Sequence, residues 1–186
     1  MAKRKAKRKA GGLNARPEFI KHWSEIQRPD KIIAGFNEPF AIGSPFSREL
    51  GLTRVGIWHE MLPPGRRSSL PHAERDEEEF VFVIEGTPDV WIDGKLHKLR
   101  IGDGVGFPNG TGIAHCFINN SDEPVRLIVV GESSRANSRC VYPLHPKRNK
   151  EIGLLLWDDA PRRKLGRHDG LPDVVRRRGR RKAKRK

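Results

Sequence analysis

The sequence predicts an all-β fold, a sandwich or barrel built from short strands. Two observations predict it. β-rich runs of four to eight residues recur every ten residues or so between Arg54 and Tyr142, each closed by turn-forming residues. No long stretch of helical period interrupts them.

The elements follow in chain order. Residues 10–30 hold Gly11-Gly12, Pro17 and Pro29 and read as a linker, with one helical turn around Phe19–Trp23. Lys31–Ala34 and Phe40–Ile42 are short apolar pieces split by Asn37, Glu38 and Pro39. A long strand starts at Arg54. Val55, Ile57, His59 and Met61 share one face; Gly56, Trp58, Glu60 and Leu62 share the other. Pro63-Pro64-Gly65 ends it. Glu79–Glu85 reads EFVFVIE, which predicts a strand buried on both faces. Asp89–Ile92 and Lys95–Leu99 flank Asp93-Gly94, a strong hairpin signal. Val105–Phe107, Ile113–Ile118, Val125–Gly131 and Cys140–Tyr142 complete the series. Ile152–Trp157 reads as an added strand, and 158–175 as irregular chain draped on the surface.

Charge is concentrated at the ends. The chain carries +14, yet residues 10–175 sum to −1, because 1–9 and 176–186 hold basic residues and no acid. The high isoelectric point is thus a property of two arms and not of the fold. Arg4–Lys9 recurs letter for letter as Arg181–Lys186. Such blocks repel themselves and are expected to be disordered. They suit non-specific contact with nucleic acid or an anionic surface, but contain no aromatic residue or motif that would read bases. The plain alternative is a solubilising or targeting tail. No apolar run is long enough for a membrane span or a signal peptide. Cys116 and Cys140 read as reduced thiols of a cytoplasmic protein, with a single bridge as the alternative. The expected organisation is a basic arm (1–12), an N-terminal extension (13–50), a barrel (51–145), a C-terminal extension (146–175) and a second basic arm (176–186).

Chemistry concentrates at four residues. His72 and Glu74 are two apart and share a strand face. Glu79 opens the next strand on the face of Val81 and Val83. His115 shares a face with Phe117 on a third. If these strands are neighbours, two imidazoles and two carboxylates meet inside the barrel. Asp76, Glu77 and Glu78 read as a solvated acidic loop, and Glu74 has the alternative of pairing outside with Arg66, Arg67 or Arg75. His59 reads as structural, Trp91 as packing or a dimer contact, and Cys116 as facing away from the His115 side. Phe80, Phe82, Phe107 and Phe117 are core candidates. His22, His97, His145 and His168 have no partner at metal spacing. No Ser-His-Asp arrangement, Walker loop or dinucleotide fingerprint is present.

The series Gly65-x6-His72-x-Glu74-x4-Glu79-x6-Gly86 resembles the first cupin motif. Gly102-x5-Pro108-x-Gly110-x4-His115-x3-Asn119 resembles the second. The resemblance runs from about Gly51 to Gly131. It implies a jelly-roll barrel, usually a homodimer, holding a divalent metal through two His and a Glu of the first motif and a His of the second. His72, Glu79 and His115 occupy three of those places. Glu74 stands where the second histidine is expected, and the gap before His115 is two residues longer. The resemblance thus implies a metal set of His72, Glu74, Glu79 and His115, holding Fe, Mn, Ni or Zn. Physics agrees with an ion, because an unpartnered buried carboxylate costs several kcal/mol. The function expected is metal-dependent oxidation, isomerisation or lyase chemistry on a small oxygen-bearing molecule, with Glu79 as the catalytic carboxylate. The alternatives are a non-catalytic small-ligand binder and a protein whose basic arms matter more than its barrel.

Overall fold

The computed structural model describes residues 16–32, 35–133 and 136–177. The predicted basic arms lie outside these residues except for Arg176 and Arg177, which are ion-paired with Asp169 and Asp173.

The strands are β1 (Ile42–Ser44), β2 (Val55–Leu62), β3 (Ala73–Glu74), β4 (Glu79–Glu85), β5 (Asp89–Ile92), β6 (Lys95–Lys98), β7 (Gly104–Phe107), β8 (His115–Ile118), β9 (Val125–Glu132) and β10 (Cys140–Val141). One sheet runs in the order β1-β2-β9-β4-β7. A second runs β6-β5-β8, and β10 pairs with β3. All these pairings are antiparallel. Bridges from Arg67 to Ile118 and from His72 to His115 lay the 67–74 segment along β8 and join the two smaller sheets. Strands of both main sheets pack face to face, which gives the barrel.

Alternation decides what lies inside. Leu62, Val81, Val83, Val90, Phe107, Phe117, Val125 and Leu127 are buried between the sheets. Trp91, Cys116 and Ile118 alternate with them and point out of the second sheet, where they pack with Ala73, Ala114 and Trp157 in a second core. Trp91 is fully buried there and its indole N–H donates to the His168 carbonyl at 2.8 Å. Its role is packing under the C-terminal segment. Cys116 faces that same outer core, as alternation predicts, and burial pushes its thiol up to about 12. Both cysteines are free. The β5–β6 turn carries Asp93 at φ 45° and Gly94 at φ 85°, the two left-handed residues a tight hairpin requires.

Three expectations are corrected. β4 is buried on one face only: Val81 and Val83 are inside, while Phe80 is 45% and Phe82 40% exposed. A run without polar alternation hides which face is wet. Residues 152–157 do not form a strand. A helix, α2 (Pro146–Ile152), runs into a 3-10 turn at Gly153–Leu155, and only Leu156 bridges to Cys140. Pro146 at the helix start and Gly153 at φ 55° at its end set these limits. The early helical turn is displaced slightly, to Trp23–Glu25. Of the apolar piece Lys31–Ala34, Ile33 and Ala34 lie outside the described residues; Lys31 and Ile32 are exposed chain, and strand structure begins at Ile42.

The N-terminal segment covers the outer face of β2. His59 points away from the barrel interior, is 3% exposed and stacks on Trp23 at 4.8 Å. The Arg126 guanidinium lies 4.1 Å from the Trp23 ring, and its Nη1 is 3.5 Å from His59 Nε2. Burial, then the Arg126 charge, pushes the His59 pKa down from 6.5 to about 4. The folded state therefore binds fewer protons than the unfolded state between these values. Stability supplied by neutral His59 is present above pH 6.5 and is lost as pH falls toward 4. Urea unfolding should show a loss of about 2 kcal/mol over that window, and His59→Gln should flatten it. A variant with an unchanged pH profile would refute the assignment.

Candidate functional site

Strand register gathers the site at one end of the barrel interior. His72 and His115 exchange backbone hydrogen bonds of 3.2 and 2.9 Å, which brings their rings to 5.2 Å between centroids. Glu79 opens β4 on the inward face, opposite Phe107 of β7. The Phe107 ring lies flat on the His115 ring at 3.5 Å. Tyr142, next to β10, stacks on His72 at 5.7 Å.

The four predicted side chains stand as two acid–imidazole pairs. His115 Nε2 is 3.2 Å from Glu79 Oε1, and His72 Nε2 is 3.6 Å from Glu74 Oε1. Each Nδ1 faces a backbone carbonyl: His72 that of Leu70 at 2.9 Å, His115 that of Ile113 at 3.3 Å. Backbone contacts at Nδ1 fix each ring with Nε2 turned to the acids. Glu74 thus turns to His72 rather than to Arg66, Arg67 or Arg75; the first two of these are held by Asp30 and Glu38. Asn119, the last residue of the second motif, is fully buried and bonds the carbonyls of Leu62 and Glu123. It holds the loop that follows β8.

Glu60 belongs to this site, and no motif announces it. It sits opposite Leu127 on β2, on the inward face between Trp58 and Leu62. Burial, then the nearby Glu79 charge, pushes its carboxyl up to about 8. Its signal in the sequence is an acid in the inward-facing alternation of a strand. Burial alone would also raise Glu79, but the His115 contact and the charges of His115 and His72 hold it below the usual carboxylate range. For His72, burial works against the charged form and is outweighed by the Glu74 contact and charge, so its pKa is raised.

These residues fit a divalent ion in donor chemistry. Two anchored imidazoles present Nε2, two carboxylates face them, and a void of about 10 Å³ beside Glu74, Glu79 and His115 offers room for roughly one water-sized sphere. Among the described residues, however, no three His, Cys, Asp or Glu side chains stand as a ready metal cluster. The acids are committed to the imidazoles in pairs. Side-chain rotation would be needed for all four to share one ion.

A family model described as a cupin domain matches residues 58–131. The barrel is a cupin. The match spans His72, Glu74, Glu79 and His115, and it includes Glu60. Among curated proteins, this chain is 34% identical over 79 residues to polyketide synthase CurC of Streptomyces cyaneus, covering 42% of this chain and 49% of that one. The chain spans about half the length of the curated relatives it matches. A solved structure described as a sugar phosphate isomerase from a cupin superfamily, from Silicibacter pomeroyi, is 32% identical, with a TM-score of 0.52 over 55% of this chain and 64% of that one. The polyketide cyclase RemF from Streptomyces resistomycificus superposes with a TM-score of 0.52 over 74% of this chain and 97% of its own. At 20% identity that likeness bears on fold alone. No helix of the described residues is long and apolar enough to cross a membrane.

Proposed function

We propose that this cupin acts on a small oxygen-bearing organic molecule at the His72–Glu74–Glu79–His115 centre, by a proton-transfer step such as isomerisation. The observation that carries the reading is the paired geometry: two imidazoles locked at Nδ1, each meeting a carboxylate at Nε2, at the end of an apolar barrel. A carboxylate held beside an imidazole is a proton acceptor with a nearby proton donor. Glu79, held at Oε1 by His115 Nε2, takes a proton from the substrate at Oε2, and the electron pair of the broken bond moves onto a substrate oxygen. The Phe107 ring over His115 excludes water from that side. The likeness to proteins described as a sugar phosphate isomerase and a polyketide synthase supports a small, oxygen-bearing substrate.

The same four residues, His72, Glu74, Glu79 and His115, would hold a divalent metal such as Fe, Mn, Ni or Zn. Bound there, it would supply a Lewis acid for a substrate oxygen.

Metal analysis of the purified protein beside His72→Ala and His115→Ala tests the ion. Wild type should carry about one equivalent per chain and each variant a small fraction of it. Equal content in all three would remove the metal site. Glu79→Gln tests the chemistry. It should keep ligand binding and lose turnover by about 100-fold or more. Unchanged turnover would leave a binding module with no reaction centre.

A further inference from the structure

A cavity of about 830 Å³ opens between the N-terminal segment, β1, β2 and Tyr142. Its size suits a small organic ligand. Its inner end lies beside the His–Glu centre, whose four side chains are not themselves in the lining. Glu60 and Ser69 line it, Ser69 Oγ is 3.3 Å from His72 Nδ1, and Tyr142, another lining residue, stacks on His72.

The walls are aromatic. Trp58 and Phe36 face the cavity with Tyr142. Gly43 makes the Trp58 wall possible, because a Cβ at that position would stand 3.0 Å from the indole. The Arg28 N–H donates to the Gly43 carbonyl at 2.9 Å and pins the N-terminal segment along β1.

The mouth is cationic. Arg28, Lys31 and Arg48 line the cavity and are exposed, and Glu60 is the single acid of the lining. Among the described residues none of the three cations meets a carboxylate. Arg28 lies over the Trp58 ring at 4.5 Å instead. Arg66 and Arg67, on the same flank of the barrel, are each held by an acid, Asp30 and Glu38. The three are also not a sample of general basicity, since residues 10–175 sum to −1. Three cations without a carboxylate partner at the entrance of an aromatic pocket suit an anionic group.

The geometry points to a substrate that is an organic anion. Its carboxylate or phosphate group is held by Arg28, Lys31 and Arg48, its body lies on Trp58 and Phe36, and its far end lies against Glu60 and Ser69, beside the centre where Glu79 and His115 act. This rests on the proposed small-molecule reaction at the His–Glu centre and adds the charge of the substrate and the direction in which it enters. Arg28, on the segment before β1, and Arg48, in the short helix α1 (Phe46–Glu49), approach from different elements. Nothing in the spacing of the two cupin-like motifs includes either residue.

The test is calorimetric titration of the full chain with phenyl phosphate, benzoate and uncharged benzyl alcohol, at physiological ionic strength to screen the basic arms. Wild type should bind at least one of the anions about tenfold or more tighter than the alcohol. The tighter anion identifies a phosphate or a carboxylate as the group held. Arg28→Gln/Arg48→Gln should lose about tenfold in anion affinity and leave the alcohol unchanged. Both positions are exposed, so the variant should melt as wild type does, and circular dichroism checks this. His115→Ala should keep anion binding, which separates the subsite from the reaction centre. Equal anion affinity in wild type and the double variant, or no preference for an anion over the alcohol, overturns the inference. Either result leaves the metal and turnover tests of the His–Glu centre standing. Failure of those tests with anion binding intact would remove the reaction and keep the subsite.

Discussion

Replacing Arg67 by Met is expected to cost about 3 kcal/mol of stability, read as a lower midpoint in urea unfolding with an unchanged slope. Arg67 is 1% exposed, the most buried charged side chain among the described residues. Its Nε donates to Glu38 at 3.1 Å and its Nη2 to the other Glu38 oxygen, while Nη1 donates to the Gly170 carbonyl at 2.8 Å. Its backbone pairs with Ile118 of β8. One guanidinium therefore ties both extensions to the barrel. Removing it leaves the Gly170 carbonyl and an acid without their donor. Glu38 is 31% exposed, so water rescues part of its charge and the cost falls at the lower end for a broken buried pair. Adding Glu38→Leu to Arg67→Met should recover part of the loss, because no stranded carboxylate remains. Replacing the exposed Arg100 should change stability by less than about 0.5 kcal/mol. A loss at Arg67 no larger than that at Arg100 would refute the tie.

Much of the architecture was legible because strand alternation and turn chemistry are local. Asp93-Gly94 gave a hairpin at its place, and the inward series Trp58, Glu60, Leu62 was readable from period two alone. Where alternation is absent, legibility stops. EFVFVIE looks the same from both faces, so the outward exposure of Phe80 and Phe82 had to come from the sheet packing. The C-terminal region is ambiguous for a related reason: an apolar run of 152–157 has no period long enough to separate a strand from the end of a helix. The site divides in the same way. His72, Glu74, Glu79 and His115 sit at spacings that a motif captures. Phe107 and Tyr142 reach the imidazoles only through pairings of distant strands, β4 with β7 and β3 with β10. Arg67 is a member of a motif-rich loop, but its partners lie 29 and 103 residues away. No local rule reports such a tie.

Glu60→Gln is expected to stabilise the metal-free protein by about 3 kcal/mol near pH 8 and by almost nothing near pH 4. The carboxyl faces the barrel interior with Glu79 close by, and its pKa rises from 4.5 to about 8. Between those values the folded state keeps a proton that the unfolded state has released. The folded state therefore loses stability as pH rises through this window. Glutamine keeps the shape and cannot ionise, so the variant escapes the loss. The full shift would correspond to a larger figure, and relaxation and water entry at the cavity bring it down. Wild-type minus variant stability isolates Glu60 from the opposite pH slope of His59, since both proteins carry that histidine. A divalent ion at the neighbouring His–Glu centre should shrink the difference, because a cation favours the ionised carboxylate. Equal stability of the two proteins at pH 8 without metal would mean that Glu60 is well hydrated in the cavity. A stabilising substitution at a position that faces both the cavity and the acid–imidazole pairs is what a site kept at a thermodynamic cost displays. The acid is then retained for what it does to a ligand rather than for the barrel.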